Sequence, residues 1–231
     1  MCRDPRRGEA GREVSTPDPA PSARGAEFGR RLGVPVVHGL YRPRTLGAWK
    51  VPATGPLIFA VNHSNFADGP LLMGSSPRPV HFLIKKEMFR GPMGAFLNGL
   101  GQLSIDRESA DRAAVTRALK VLDGGGVLGI FPEGTRGEGD FASLRSGLAY
   151  FAVRSGAPVV PVAVLGSAGA RSRLIPGLPP LRTRIDLVFG EPFEAGDHSG
   201  RRTRRAMDEA TVRIQKRLAA HLENARRLTR R

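Results

Sequence analysis

The 231-residue chain predicts a single α/β domain with a mostly parallel or mixed central sheet flanked by helices. Three observations carry that prediction. The length suits one full hydrophobic core and no more. Apolar runs recur at residues 57–61, 80–84, 127–131, 159–165 and 185–189, each bounded by Gly, Pro or polar residues, as buried strands are. Between the runs lie segments with apolar residues at helical spacing, and strands that alternate with helices pair largely in parallel.

The segments follow in order. Residues 1–25 are rich in Arg, Pro, Ala and Gly and poor in large apolar side chains, so a disordered arm is expected before a domain at 26–200. Residues 26–41, AEFGRRLGVPVVHGLY, are mildly amphipathic but interrupted by Gly33 and Pro35, which weakens them as a membrane anchor. The run LIFAV at 57–61 is a core strand opening into a loop at Asn62 and His63. Helical patterns follow at 69–74, at 92–100 with Met93, Phe96, Leu97 and Leu100 on one side, at 110–122 and at 144–155. GGGVLG at 124–129 meets the dinucleotide glycine pattern, yet it precedes a strand where that motif must follow one, so it reads as a helix stop.

Composition excludes several function classes. The only cysteine, Cys2, lies in the arm, which leaves no disulfide or cysteine metal site and fits a reducing compartment. His38, His81, His198 and His221 are scattered without partners at ligand spacing, so no metal is expected. No apolar stretch nears the roughly 20 residues of a spanning helix, and no signal peptide is visible, so a cytosolic or peripheral protein is expected. The net charge of +15 is concentrated at residues 201–231, which carry 11 Lys and Arg against 3 acids. Met207, Thr211, Ile214, Leu218 and Leu222 form a stripe there, so this basic helix either packs on the sheet or lies on an anionic membrane. Aromatics make up 6% of the chain and are not interleaved with the basic residues, which argues against nucleic acid.

Three polar clusters sit where strands end. FAVNHSNFADG at 59–69 places His63 and Asp68 at the mouth of the first core strand, the edge where open α/β sheets bind ligands. At about 100° per residue, side chains five apart in one helix diverge by roughly 140°. His63 must therefore sit in the loop before the helix, with Asp68 reaching back; alternatively, His63 is a cap and Asp68 a solvated side chain. GQLSIDRES at 101–109 ends an extended run on Asp106 and Arg107, and FPEGTRGEGD at 131–140 turns at Pro132 and Gly134 while carrying Glu133, Thr135 and Arg136. Two guanidiniums on adjacent loops could fork onto one phosphate. Singly, Arg107 reads equally as a surface partner of Glu108 or Asp111, and the second cluster as an ordinary turn.

The series NHSNFAD, then IKKEMFRGPMGAFLNGLGQLSIDR, then FPEGTR, then VVPVAV resembles the glycerolipid acyltransferases, particularly the lysophosphatidic acid acyltransferases, over residues 44–195. That resemblance implies their fold, and transfer of a fatty acyl group from acyl-CoA or acyl carrier protein to a lysophospholipid hydroxyl without a cofactor. It implies His63 as base with Asp68 behind it, and Asn62, Lys85, Asp106, Arg107, Glu133, Gly134, Thr135 and Arg136 as substrate-binding residues. The chemistry fits: thioester-to-alcohol transfer needs a base, and an imidazole titrates near neutrality. Ser64 is not expected as a nucleophile, since no serine stands in a Gly-x-Ser-x-Gly elbow.

Lysophosphatidic acid is the acceptor the resemblance favours. Glycerol phosphate, other lysophospholipids and lyso-ornithine lipids are alternatives, as is a non-catalytic protein that binds anionic lipid. The expected partners are the two substrates, with acyl carrier protein as the alternative carrier of the donor, and an anionic membrane surface on the inner face of the cell membrane. Phe89, Met93, Phe96 and Leu97 either line an acyl tunnel or are plain core. Leu144 and Arg145 stand where the family commonly has Phe-Lys, and the amino terminus lacks the hydrophobic helices of many relatives.

Overall fold

A computed structural model describes residues 21–109, 111–134, 139–141, 144–168, 178–196 and 203–231. The order of elements is α1 (Ala23–Leu40), β1 (Arg42–Leu46), β2 (Leu57–Val61), α2 (Asp68–Met73), β3 (Val80–Lys85), α3 (Gly91–Gly99), β4 (Leu103–Ile105), α4 (Arg112–Asp123), β5 (Val127–Ile130), α5 (Gly147–Ser155), β6 (Val159–Leu165), β7 (Arg184–Phe189) and α6 (Arg204–Thr229). The seven strands form one sheet in the order β1-β7-β6-β2-β5-β3-β4, parallel except where β6 meets β7. β2, β5 and β6 are buried along their whole lengths, which is why they read as continuous apolar runs.

Side chains alternate between two cores. Ile58, Ala60, Leu128, Ile130, Ala163 and Val188 face α4, α5 and α6, while Leu57, Phe59, Val61, Val160, Val162 and Leu187 face the α1 and α2 side. α6 buries Ile214, Leu218 and Leu222 in the first core. Its apolar stripe is therefore spent on the sheet, and the arginine-rich faces remain outside.

Three expectations change. Residues 23–40 form one helix that runs through Gly33 and Pro35. The glycines are its contact face: a Cβ on Gly25 would stand 2.3 Å from the Gly99 carbonyl oxygen, and one on Gly33 would stand 3.1 Å from the Cα of Gly74. Residues 23–25, assigned to the arm, already belong to this helix, and residues 1–20 lie outside the described residues. Second, Arg42–Leu46 is a strand that apolar periodicity does not reveal, because it is an edge held by pairing to β7. Third, the apolar residues of α3 do not fill a core: Met93 and Phe96 are each 49% exposed, and Gly94 is the helix's one buried residue. On α1, Phe28, Leu32, Val36 and Leu40 repeat every fourth residue and are exposed as well.

Candidate active site

The site is built at the carboxyl ends of β2 and β5, neighbours near the middle of the sheet. His63 follows β2 in the loop, and Asp68 is the first residue of α2. The imidazole Nδ1 lies 3.2 Å from Asp68 Oδ2. Asp68 is fully buried, so its charge must be met inside the protein, and it is. The same Oδ2 accepts from the backbone N–H groups of Ser64 at 2.9 Å and Asn65 at 2.7 Å, while Oδ1 accepts from the Ser167 hydroxyl at 2.6 Å. The imidazole lies against the Phe131 ring, with centroids 4.2 Å apart. Ring packing and the carboxylate together fix its plane. Nε2, on the far side of the ring, has no partner among the described residues and is the nitrogen left for a substrate. Ser64 Oγ faces Ser167 Oγ at 3.4 Å rather than the imidazole, so the structure gives it no activating base.

The loop after β5 joins this half of the site to a cationic half. Glu133 Oε1 approaches the His63 backbone N–H at 3.4 Å. Burial raises the Glu133 carboxyl above its ordinary value, an effect the His63 N–H partly offsets. The next residue, Gly134, has φ +72 and turns its carbonyl to the Arg107 guanidinium, which donates to it through Nη1. A Cβ on Gly134 would stand 2.3 Å from Arg145 Nε, so two guanidiniums flank this one glycine. Burial, and then the Arg145 charge, lower the Arg107 pKa from its ordinary value. Like charges at this spacing are an arrangement that a bound dianion relieves.

The remaining expected residues divide. Asn62 is not placed to bind substrate: it is buried, its Nδ2 donates to Val164 O at 3.1 Å, and its Oδ1 accepts from Val164 N at 2.7 Å. Both ends of the amide are used in tying β2 to β6, so Asn62 supports the loop it precedes. Asp106 is likewise engaged within the protein. It pairs with Lys86 at 2.6 Å and accepts from Glu108 N at 2.9 Å, and the Lys86 contact lowers its carboxyl to about 2. A carboxylate held ionised would repel a phosphate, whereas here it orders the turn that carries Arg107. Lys85 ends β3 with its side chain exposed. Thr135 and Arg136 lie outside the described residues. Among the described residues no group of three or more His, Cys, Asp or Glu converges on a metal position.

Sequence reasoning missed Ser167, Arg145 and Phe131 as parts of the site. Ser167 is 99 residues from Asp68 and adjacent to it only because β6 lies beside β2. Arg145 is brought in by its backbone N–H, which donates to Pro132 O at 2.8 Å. The apolar run 127–131 predicts Phe131 as the last residue of a strand, but β5 ends one residue earlier, which frees its ring to turn onto His63.

Comparison with known proteins places these residues in a family context. The Acyltransferase family matches residues 42–165. A protein of Bacillus subtilis named 1-acyl-sn-glycerol-3-phosphate acyltransferase is 29% identical over 176 residues, 75% of this chain and 84% of that protein. A protein of the same name from Borreliella burgdorferi is 30% identical over 50% of this chain, which spans 48% of that relative's length. The crystal structure of the 1-acyl-sn-glycerophosphate acyltransferase PlsC from Thermotoga maritima superposes with a TM-score of 0.60 at 22% identity, covering 87% of this chain and 78% of that one. That likeness confirms the fold.

Proposed function

Because this chain belongs to the Acyltransferase family, we propose that it acylates the free hydroxyl of a lysophospholipid, with lysophosphatidic acid as acceptor and phosphatidic acid as product, drawing the acyl group from acyl-CoA or acyl carrier protein. The observation that carries this reading is the His63–Asp68 contact at 3.2 Å beside the Arg107–Gly134–Arg145 cradle. The names of the similar proteins support the choice of acceptor.

The chemistry follows from the geometry. Asp68 holds Nδ1, so Nε2 takes the proton of the acceptor hydroxyl as its oxygen attacks the thioester carbonyl. The tetrahedral intermediate collapses, the carbon–sulfur bond breaks, and the departing sulfur takes the proton back from the imidazolium. No covalent enzyme intermediate and no cofactor are needed. Arg107 and Arg145, with Arg136 as the family resemblance implies, hold the acceptor phosphate and so bring its hydroxyl to Nε2. Asp68 stabilises the imidazolium between the two proton transfers.

The described helices include none long and apolar enough to cross a membrane. Access to a lipid acceptor is assigned instead to the exposed apolar side chains of α1 and α3, with the enzyme peripheral on the inner face of the cell membrane. The test is thiol release from palmitoyl-CoA with lysophosphatidic acid. Wild type releases thiol, and His63→Ala loses about 10³-fold in kcat while still binding vesicles. A wild type that acylates only another acceptor overturns the substrate assignment, and a His63→Ala of near-native rate overturns the mechanism.

A further inference from the structure

A second cationic site lies on the other side of the catalytic strand. Asp186 on β7 is fully buried and meets three guanidiniums: Arg44 Nε at 2.7 Å, Arg184 Nε at 3.3 Å and Arg231 Nε at 3.0 Å. One carboxylate can neutralise only one of these three side-chain cations. Arg44 Nη2 is buried and without a partner among the described residues, a donor that they desolvate and do not satisfy. In the β1–β7 register Arg42 lies opposite Arg184 and Arg44 opposite Asp186, so Arg42 joins the same face of the sheet at its edge.

The cluster sits at the catalytic edge. β7 runs antiparallel to β6 and parallel to β1, so its start at Arg184 and that of β1 at Arg42 lie level with the end of β6, beside His63. A Cβ on Gly166 would be 2.8 Å from the Arg231 guanidinium, and the next residue, Ser167, donates to Asp68 at 2.6 Å. In the order β1-β7-β6-β2-β5-β3-β4, β2 stands three strands from β1 and three from β4, the strand that leads to Arg107. Asp186 and Arg184 on β7 stand two strand steps, about 10 Å, to one side of the catalytic strand, and the Arg107–Gly134–Arg145 cradle stands at the end of β5, its neighbour on the other side. Reacting atoms that meet at His63 would thus carry their phosphates to opposite sides.

We propose that the Arg44–Arg184–Arg231 cluster binds the phosphates of a CoA thioester donor, with the half-exposed side chains of Arg44 and Arg184 as the contacting groups. This rests on the acyl-transfer reading and adds the donor's place to it. Arg184→Gln leaves Asp186 paired to Arg44 and Arg231, and Arg44→Lys keeps the charge beside Asp186 but deletes the guanidinium fork. Neither change strips the buried carboxylate of its cations.

Each variant is expected to raise the KM for palmitoyl-CoA about tenfold, as loss of one charge-assisted contact should, with the KM for lysophosphatidic acid unchanged. Independently of turnover, titration of His63→Ala with CoA and with pantetheine, which lacks the CoA phosphates, should show CoA binding the more tightly. Adding Arg184→Gln or Arg44→Lys should narrow that gap about tenfold. Failure of the acyl-transfer reading appears as an inert wild type, while the titration still decides the donor site. Equal CoA binding with and without the arginine changes, or no CoA binding at all, overturns the assignment. So does loss of binding to phosphatidylglycerol vesicles with CoA binding intact, which would give the cluster to the lipid surface.

Discussion

The two halves of the active site are finished to different degrees. Around Asp68 both carboxylate oxygens are engaged within the protein, by two backbone N–H groups, one hydroxyl and one imidazole. Around Gly134 two guanidiniums flank one glycine, Arg107 alone bonding its carbonyl, and burial of Arg107 adds to the cost of its charge. On the proposed function the first half is complete before substrate arrives, whereas the second would become favourable once an anion occupied it. A base has to be oriented in advance, because its work is done at the transition state, while a phosphate clamp can draw its stabilisation from the phosphate it binds.

The sharpest way to break the comparison is to damage the finished half. In Asp68→Asn one oxygen becomes an NH2 group, which would face the Ser64 and Asn65 N–H donors or the Ser167 hydroxyl, and the imidazole loses its counter-charge. We expect kcat to fall about 10²-fold or more, with the acceptor KM little changed, and stability to drop by about 1–3 kcal/mol in urea unfolding. A variant that lost only acceptor affinity would contradict the division.

Next in size is the unfinished half. Arg107→Gln removes one of the two crowded cations, so the acceptor KM should rise about tenfold or more while urea unfolding shows no loss of stability. The combination of weaker binding and undiminished stability is the signature to seek. A stability loss as large as that of Asp68→Asn would mean that Arg107 serves the fold.

Smaller, and directed at the join between β6 and the base, is Ser167→Ala. Asp68 keeps three of its four contacts, so we expect a loss of severalfold in kcat together with a displaced pH profile, since the hydroxyl bears on the imidazole only through the carboxylate. An unchanged profile would leave Ser167 as packing alone.

The same contrast explains what the sequence disclosed. β2, β5 and β6 announce themselves because burial on both faces demands unbroken apolar runs, and the His63–Asp68 pair is legible because both residues lie in one loop and turn. β1 is hidden, since Arg42, Pro43 and Arg44 are held by an edge partner and not by an apolar face. Gly33 and Pro35 read as helix breakers, but at α1 a glycine is what lets the backbone approach α2. Asn62 misleads because an amide at a strand end looks like a ligand group until the neighbouring strand takes both its atoms. Ser167 and Arg145 depend on sheet order and loop closure over long separations, which local spacing does not encode.

The smallest expected effect concerns Glu133, the residue that links the halves. Burial raises its carboxyl, so the fold disfavours the ionised form and the cost is present above the folded value. As pH falls below the ordinary value of 4.5 the carboxyl is protonated in folded and unfolded chains alike, and the cost disappears. Glu133→Gln should therefore raise the urea midpoint slightly at pH 7, and the gain should vanish as the pH is taken below that ordinary value. If the variant also loses kcat, the enzyme retains a charge the fold resists for the sake of the His63 loop. If it gains stability at no cost in rate, Glu133 belongs to the arginine side and orders only the turn.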